Sequence, residues 1–286
     1  MKASSMTRRD FVRLGAGAVV AGAGARLAAK TLGSPIGLQL YSVRELLPKD
    51  FEGTLAKVRA AGFTEVEAAG YFDKPAADWR KAMDKAGLRC IGGHYSLAGL
   101  KSRLDELIEY GHQLGLDYLV CSSAMRRDPE AKGPLTLDDW RWVAGEYNRI
   151  GTRVKAAGMT LAIHNHIPEF GSEGGVVFYD ELLRLTDPKL VAFEMDCGWV
   201  VAAGRNPVEY LSKTPDRFPL LHIKDMVKGP SDEMHSCIMG RGVIDYRPIL
   251  RAATGMKHYF AEQEEFDMDV MESLRLDAAY MRKLEL

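Results

Sequence analysis

Four times along this chain a helical stretch stops at a glycine, and an apolar residue then leads into a short strand candidate: Gly62-Phe63, Gly87-Leu88, Gly115-Leu116 and Gly158-Met159. Glycine ends a helix without strain because, lacking Cβ, it takes the left-handed conformation freely. The runs that follow are short and nearly all apolar, which marks strands of a parallel sheet covered on both faces. The pattern predicts strands at 36–41, 65–68, 88–91, 118–121, 159–164, 190–195, 218–223 and 258–262. Between them it predicts helices at 51–61, 75–86, 100–114, 137–157, 178–186, 207–212, 246–253 and 270–283. Eight strand-helix pairs suit a (β/α)8 TIM barrel, whose usual size is about 250 residues. A doubly wound open sheet would more often carry a Gly-rich phosphate loop after its first strand, and Leu40-Tyr41-Ser42-Val43-Arg44 is not one. No Pro/Ser-rich linker or block of charge divides the barrel stretch, so residues 34–286 read as a single domain.

The residues ahead of the barrel read as an address. Arg8-Arg9 precede Asp10, Phe11 and Val12, and residues 14–25 carry no charge. That run is shorter than the roughly 20 residues a bilayer span needs, and it suits the apolar region of a signal peptide. Small-residue cleavage sites follow at Ala23-Gly24-Ala25 or around Ala28-Ala29. Residues 1–29 thus look like a cleavable twin-arginine signal peptide, which implies the twin-arginine export machinery as a partner and a periplasmic location. Cleavage would remove five basic residues and one acidic residue, leaving 33 basic against 38 acidic, a net charge of −5. That balance, with no basic stripe, argues against nucleic acid as a partner. Four cysteines without a C-x-x-C pair exclude a disulfide framework and a zinc ribbon.

In such a barrel the active site lies where the strands end. The second predicted strand carries Glu67 and the third leads to His94. The fifth ends in His164-Asn165-His166, with Glu169 three residues on. The sixth ends in Glu194-Met195-Asp196, the seventh in His222-Ile223-Lys224-Asp225, and the eighth in Glu262-Gln263-Glu264-Glu265. Carboxylates and imidazoles converging on one face make a divalent metal site, and mixed oxygen and nitrogen donors suit Mn2+, Zn2+, Co2+, Mg2+ or Fe2+. Lys224 stands two residues after His222 and so points to the same side of its strand. Trp199 offers a flat apolar ring to a sugar face. Arg241, between two glycines, is placed to clamp a substrate hydroxyl or carboxylate, and Tyr41, Glu67 and His94 are further candidate substrate contacts.

Over residues 34–284 the chain resembles the xylose isomerase-like sugar isomerase/epimerase barrels, specifically their exported sugar phosphate isomerase/epimerase group. The resemblance is carried by Gly37-Leu-Gln-Leu-Tyr-Ser-Val-Arg44, Gly93-His-Tyr-Ser96, His164-Asn-His-Ile-Pro-Glu-Phe170 and Glu194-Met-Asp-Cys-Gly-Trp199. Leu221-His-Ile-Lys-Asp225, Gly240-Arg-Gly-Val-Ile-Asp245 and Phe260-Ala-Glu-Gln-Glu264 continue it. It implies one divalent metal ion held by Glu, Asp, His and Glu from the fifth to eighth strands. Asp196, His222 and Glu262 match. For the fourth ligand the resemblance points to Glu169, with His164, which stands where many relatives have Glu, as the rival. It further implies a sugar isomerase/epimerase acting through an enediolate, with a carboxylate such as Glu262 moving the proton and Lys224 donating to the enediolate oxygen. If the fifth strand supplies an imidazole instead, His164 or His166 becomes the base, and a metal-dependent lyase or hydrolase of 3-keto-glycosides is the alternative outcome. Relatives are often dimers or tetramers, so a homo-oligomer is left open. The superfamily's abasic-site endonucleases need a second His where Trp199 stands and an Asp-x-His after His222, and neither is present. With no Gly-rich phosphate cradle, the expected substrate is an unphosphorylated keto-sugar or sugar derivative.

Overall fold

A computed structural model describes residues 35–284, so the expected signal peptide lies outside the described residues. Eight strands close into one parallel barrel, each paired with its sequence neighbours and the last with the first. They are β1 (Gly37–Gln39), β2 (Glu65–Ala68), β3 (Arg89–Ser96), β4 (Tyr118–Ser123), β5 (Thr160–His164), β6 (Val191–Asp196), β7 (Leu220–Ile223) and β8 (His258–Ala261). Around them lie α1 (Phe51–Ala61), α2 (Ala76–Ala86), α3 (Leu97–Leu114), α4 (Leu137–Ala156), α5 (Phe178–Leu185), α6 (Cys197–Ala202), α7 (Pro207–Lys213), α8 (Tyr246–Ala252) and α9 (Val270–Lys283). The four helix-ending glycines all have positive φ, from 69° at Gly87 to 113° at Gly62. The sequence pattern was therefore reading a real backbone requirement.

Differences from expectation concentrate at the strand C-terminal ends. β1 stops at Gln39 because its side chain accepts the Tyr41 amide at 3.0 Å and turns residues 40–43 into a 3-10 turn. α3 begins three residues early because Ser96 Oγ caps the Gly99 amide. The short α6 went unforeseen, as did two hairpins, 172–173 with 176–177 and 225–228 with 234–237. Among the described residues, no helix is long and apolar enough to cross a membrane.

The barrel lumen is filled by its own apolar cluster, Ile91, Tyr118, Val120, Ala162, Leu220 and Phe260, separate from the layer between strands and helices. Fully burying a Leu or Phe contributes roughly 1.5–3 kcal/mol. Side chains alternate along a strand, so the next inward position lies two residues on. Two residues past Ala162, Leu220 and Phe260 stand His164, His222 and Glu262. The apolar plug thus floors a polar layer at the mouth.

Candidate active site and metal centre

Ladder register builds the polar layer. His164 lies beside Glu194, and Asp196 lies beside His222. Asn165 locks the ends of β5 and β6: its Oδ1 accepts the Asp196 amide at 3.1 Å and its Nδ2 donates to the Asp196 carbonyl at 3.2 Å. Asp196 in turn caps α6, its Oδ1 accepting the Trp199 amide at 2.9 Å. Its Oδ2 is buried and has no hydrogen-bond donor among the described residues; it pairs with the Lys224 ammonium at 2.9 Å and lies 3.9 Å from His222 Nδ1.

Four buried residues, His164, Asp196, His222 and Glu262, each bring one donor atom within 4.8 Å of the others. Two imidazole nitrogens and two carboxylate oxygens, one of them without a hydrogen-bond donor, fit a divalent cation. A second, overlapping group joins His94, His164, Glu194 and His222. Between the two, His222 faces both ways: Nδ1 lies 2.8 Å from Glu262, and Nε2 lies 2.9 Å from Glu67 and 3.2 Å from Glu194.

The charges interlock. Burial alone would lower His94, but the carboxylates of Glu67 and Glu194 overcome it and push its imidazole up to about 10. His222 is likewise driven well above the usual histidine range by Glu194 and Glu262 against its burial. Burial raises Glu194, yet His222 and His94 win and hold it at about 2. Burial and the neighbouring imidazoles keep His164 well below its ordinary value, so it is neutral. His166 is lowered too, chiefly by burial. Lys224, fully buried, stays charged because Asp196, Glu262 and Glu264 outweigh its desolvation. Protons and the Lys224 charge here balance carboxylates that a divalent cation would also balance.

A stability prediction follows for protein stripped of divalent ions by a chelator. His94 titrates near 10 when folded against an ordinary 6.5, so its contribution is complete below 6.5 and is lost as pH rises through 10. Glu194, depressed from 4.5 to about 2, contributes fully above 4.5 and loses that contribution as pH falls through 2. Urea midpoints of the stripped protein should therefore fall between pH 6.5 and 10; a flat profile there contradicts the assignment.

The other expected site residues fall in several places. Glu169 is not in the four-residue group: it sits in a 3-10 turn and its Oε2 accepts the His166 amide at 2.9 Å. The position contributed by β5 is His164. His166 lies beside it, ring centroids 4.8 Å apart, and 6.0 Å from Trp199. The Lys224 ammonium stands 4.6 Å over the Trp199 ring. Glu67 is fully buried beneath the group, its Oε2 accepting from Gln39 Nε2 at 2.8 Å and lying 3.0 Å from His94. Tyr41 is exposed on the rim under the Arg44 guanidinium, which also donates to the Glu264 carbonyl at 3.2 Å. Arg241 is exposed, lining a recess with Ser236, Gln263 and Glu265 beside the end of β8. Glu194, Gln39, Asn165 and Glu264 were not singled out from the sequence as site residues. For Glu194 a signal existed: it is two residues before Asp196 on the same strand face.

Residues 55–283 match the Xylose isomerase-like TIM barrel family. The chain belongs to that family. Among its relatives, an inosose dehydratase of Lacticaseibacillus casei is 28% identical over 250 residues, covering 77% of this chain and 83% of the relative. A solved sugar phosphate isomerase/epimerase from Parabacteroides distasonis superposes with a TM-score of 0.75 at 28% identity, covering 88% of this chain and 99% of that one. A zinc-bound IolI protein shares the fold, with a TM-score of 0.67 at 14% identity over 86% of this chain and 97% of that one. Named relatives of this barrel are therefore enzymes of small carbohydrates, isomerases, epimerases and dehydratases.

Proposed function

We propose that this protein is a divalent-metal-dependent sugar isomerase or epimerase acting through an enediolate on an unphosphorylated keto-sugar or sugar derivative. The observation that carries this reading is the convergence of His164, Asp196, His222 and Glu262 at the barrel mouth beside a buried, charged Lys224. A cation held by those four residues would supply Lewis acidity, withdrawing electrons from a substrate carbonyl and acidifying the neighbouring C–H. The chain's own groups then divide the proton work. If His164 gives its lone pair to the cation, His166, kept neutral by burial, is the adjacent imidazole free to take a proton from carbon. The Lys224 ammonium donates to the oxygen that gains charge as the enediolate forms. Trp199 presents a ring and a buried indole N–H that has no partner among the described residues.

A second reading is supported by two observations: β5 supplies an imidazole where two carboxylates would make a symmetric proton shuttle, and relatives at 28% identity are inosose dehydratases. Loss of a β-substituent from the same enolate would make the protein a lyase or dehydratase, 3-keto-glycosides included. One experiment addresses both. In deuterated buffer with added metal, a panel of keto-sugars and 3-keto-glycosides should exchange hydrogen at the carbon beside the ketone, and exchange should stop with chelator. Exchange with only an epimer or isomer formed supports the first reading, and exchange with release of a fragment or water supports the second. No metal-dependent exchange with any member, or turnover only of phosphorylated sugars, refutes both.

Export to the periplasm by the twin-arginine route is proposed from Arg8-Arg9 and the uncharged run behind them. A chain carrying Arg8→Lys and Arg9→Lys should stay in the cytoplasm with its leader attached, as fractionation and intact mass would read; unchanged export rules the route out.

A further inference from the structure

We propose that Glu194 is a positioning residue: it accepts the ring N–H of His164 and shares with Glu67 that of His222, and thereby decides which nitrogen of each is left for the cation. The inference rests on the metal centre argued above and adds a residue that is not one of its ligands. Glu194 is 0% exposed, on the plug side of Asp196 on β6. Its Oε2 lies 3.1 Å from His164 Nδ1, 3.2 Å from His222 Nε2 and 2.9 Å from His94 Nε2. A carboxylate accepts and never donates, so the nitrogen facing it carries the hydrogen and the opposite nitrogen keeps its lone pair. For His164 that leaves Nε2. His222 has carboxylates at both nitrogens, Nδ1 lying 2.8 Å from Glu262 and 3.9 Å from Asp196, so a cation shared with those two ligands would take the place of the Nδ1 hydrogen while Nε2 keeps its own toward Glu194 and Glu67. Glu67 reinforces the second choice, 2.9 Å from the same His222 Nε2. Without these acceptors each buried imidazole could take either tautomer, and half of the choices would aim an N–H at the cation.

The neighbouring group of His94, His164, Glu194 and His222 could instead be read as a second cation site. His222 decides against it. Ions in both groups would need His222 to ligate through Nδ1 and Nε2 at once, stripping the ring of both its N–H hydrogens. One hydrogen bond to Glu194 or Glu67 satisfies the inner nitrogen without that loss.

The test titrates zinc into full-length protein by calorimetry and records histidine 15N shifts of the zinc-loaded protein. The parent should bind one ion per chain, with His164 protonated at Nδ1 and His222 at Nε2. Glu194→Gln should still bind one ion, about 10- to 100-fold more weakly. The nitrogen shifts are read on the parent, so the proposal remains testable even if the variant misfolds. Unchanged affinity in Glu194→Gln, or the reversed tautomers, overturns the positioning role while the metal centre stands. Two ions per parent chain overturns it by making Glu194 a ligand. A parent that binds no ion overturns the metal centre itself and this proposal with it.

Discussion

Asp196→Asn should produce a folded barrel that no longer retains divalent metal and has lost nearly all activity. The fold survives because asparagine caps a helix as well as aspartate does, so the Trp199 amide keeps its acceptor and α6 its start. The backbone bonds to Asn165 do not involve the replaced oxygen. Lys224 still has Glu262 at 3.0 Å and Glu264 at 2.5 Å. What disappears is the anionic Oδ2 in the four-residue group. Lewis-acid stabilisation of a developing oxyanion is worth several kcal/mol, and at about 1.4 kcal/mol per factor of ten its loss lowers the rate on the order of 10³-fold. Metal per chain by plasma emission, the urea midpoint and kcat on the best substrate of the exchange panel are the measurements. A variant with full metal content and full activity would show that the centre lies elsewhere.

Lys224→Met should be the most destabilising single change at the site, and its cost should shrink when metal is added. Lys224 is buried, with three carboxylates within 3.0 Å of its ammonium. Methionine fills much the same volume, so the effect isolates charge. Removing one partner from a buried ion network leaves uncompensated charge and costs about 3–5 kcal/mol. A divalent cation between Asp196 and Glu262 restores part of that balance, and saturation at 100 times Kd contributes about 2.7 kcal/mol. Guanidinium unfolding with chelator and with excess metal should show a larger gain on metal addition for the variant than for the parent. Equal gains, or a variant as stable as the parent in chelator, would remove Lys224 from the charge balance. Activity should fall as well, since the proposed reaction has the Lys224 ammonium donate to the enediolate oxygen.

The barrel was legible because its signals are local. Each glycine that ends a helix must accept positive φ whatever the rest of the chain does, and the short runs after Gly62, Gly87, Gly115 and Gly158 form mostly buried strands of the parallel sheet. Strand-end chemistry was legible to the level of residue type: Asp196, His222 and Glu262 do come together, and Lys224 joins them through its two-residue spacing from His222. The short α6 and the hairpin 225–228 with 234–237 were not foreseen, because each is set by contacts at the rim. Asp196 caps the first, and Ser236 ties the second to the amides of Glu264 and Glu265.

The allocation among carboxylates and imidazoles was out of reach of any local reading. Glu169 and His164 are five residues apart in the same motif, yet the first accepts the His166 amide and the second enters the cluster. Nothing in their spacing says which. Glu67 and His222 meet at 2.9 Å across 155 residues of chain, a contact that exists only once the barrel closes. Backbone conformation and side-chain alternation are short-range consequences of residue chemistry, so order and spacing settled the architecture and the kinds of donor at its mouth. Which nitrogen faces which oxygen depends on ring closure, register and the depth of the apolar plug, and those are properties of the whole packed chain.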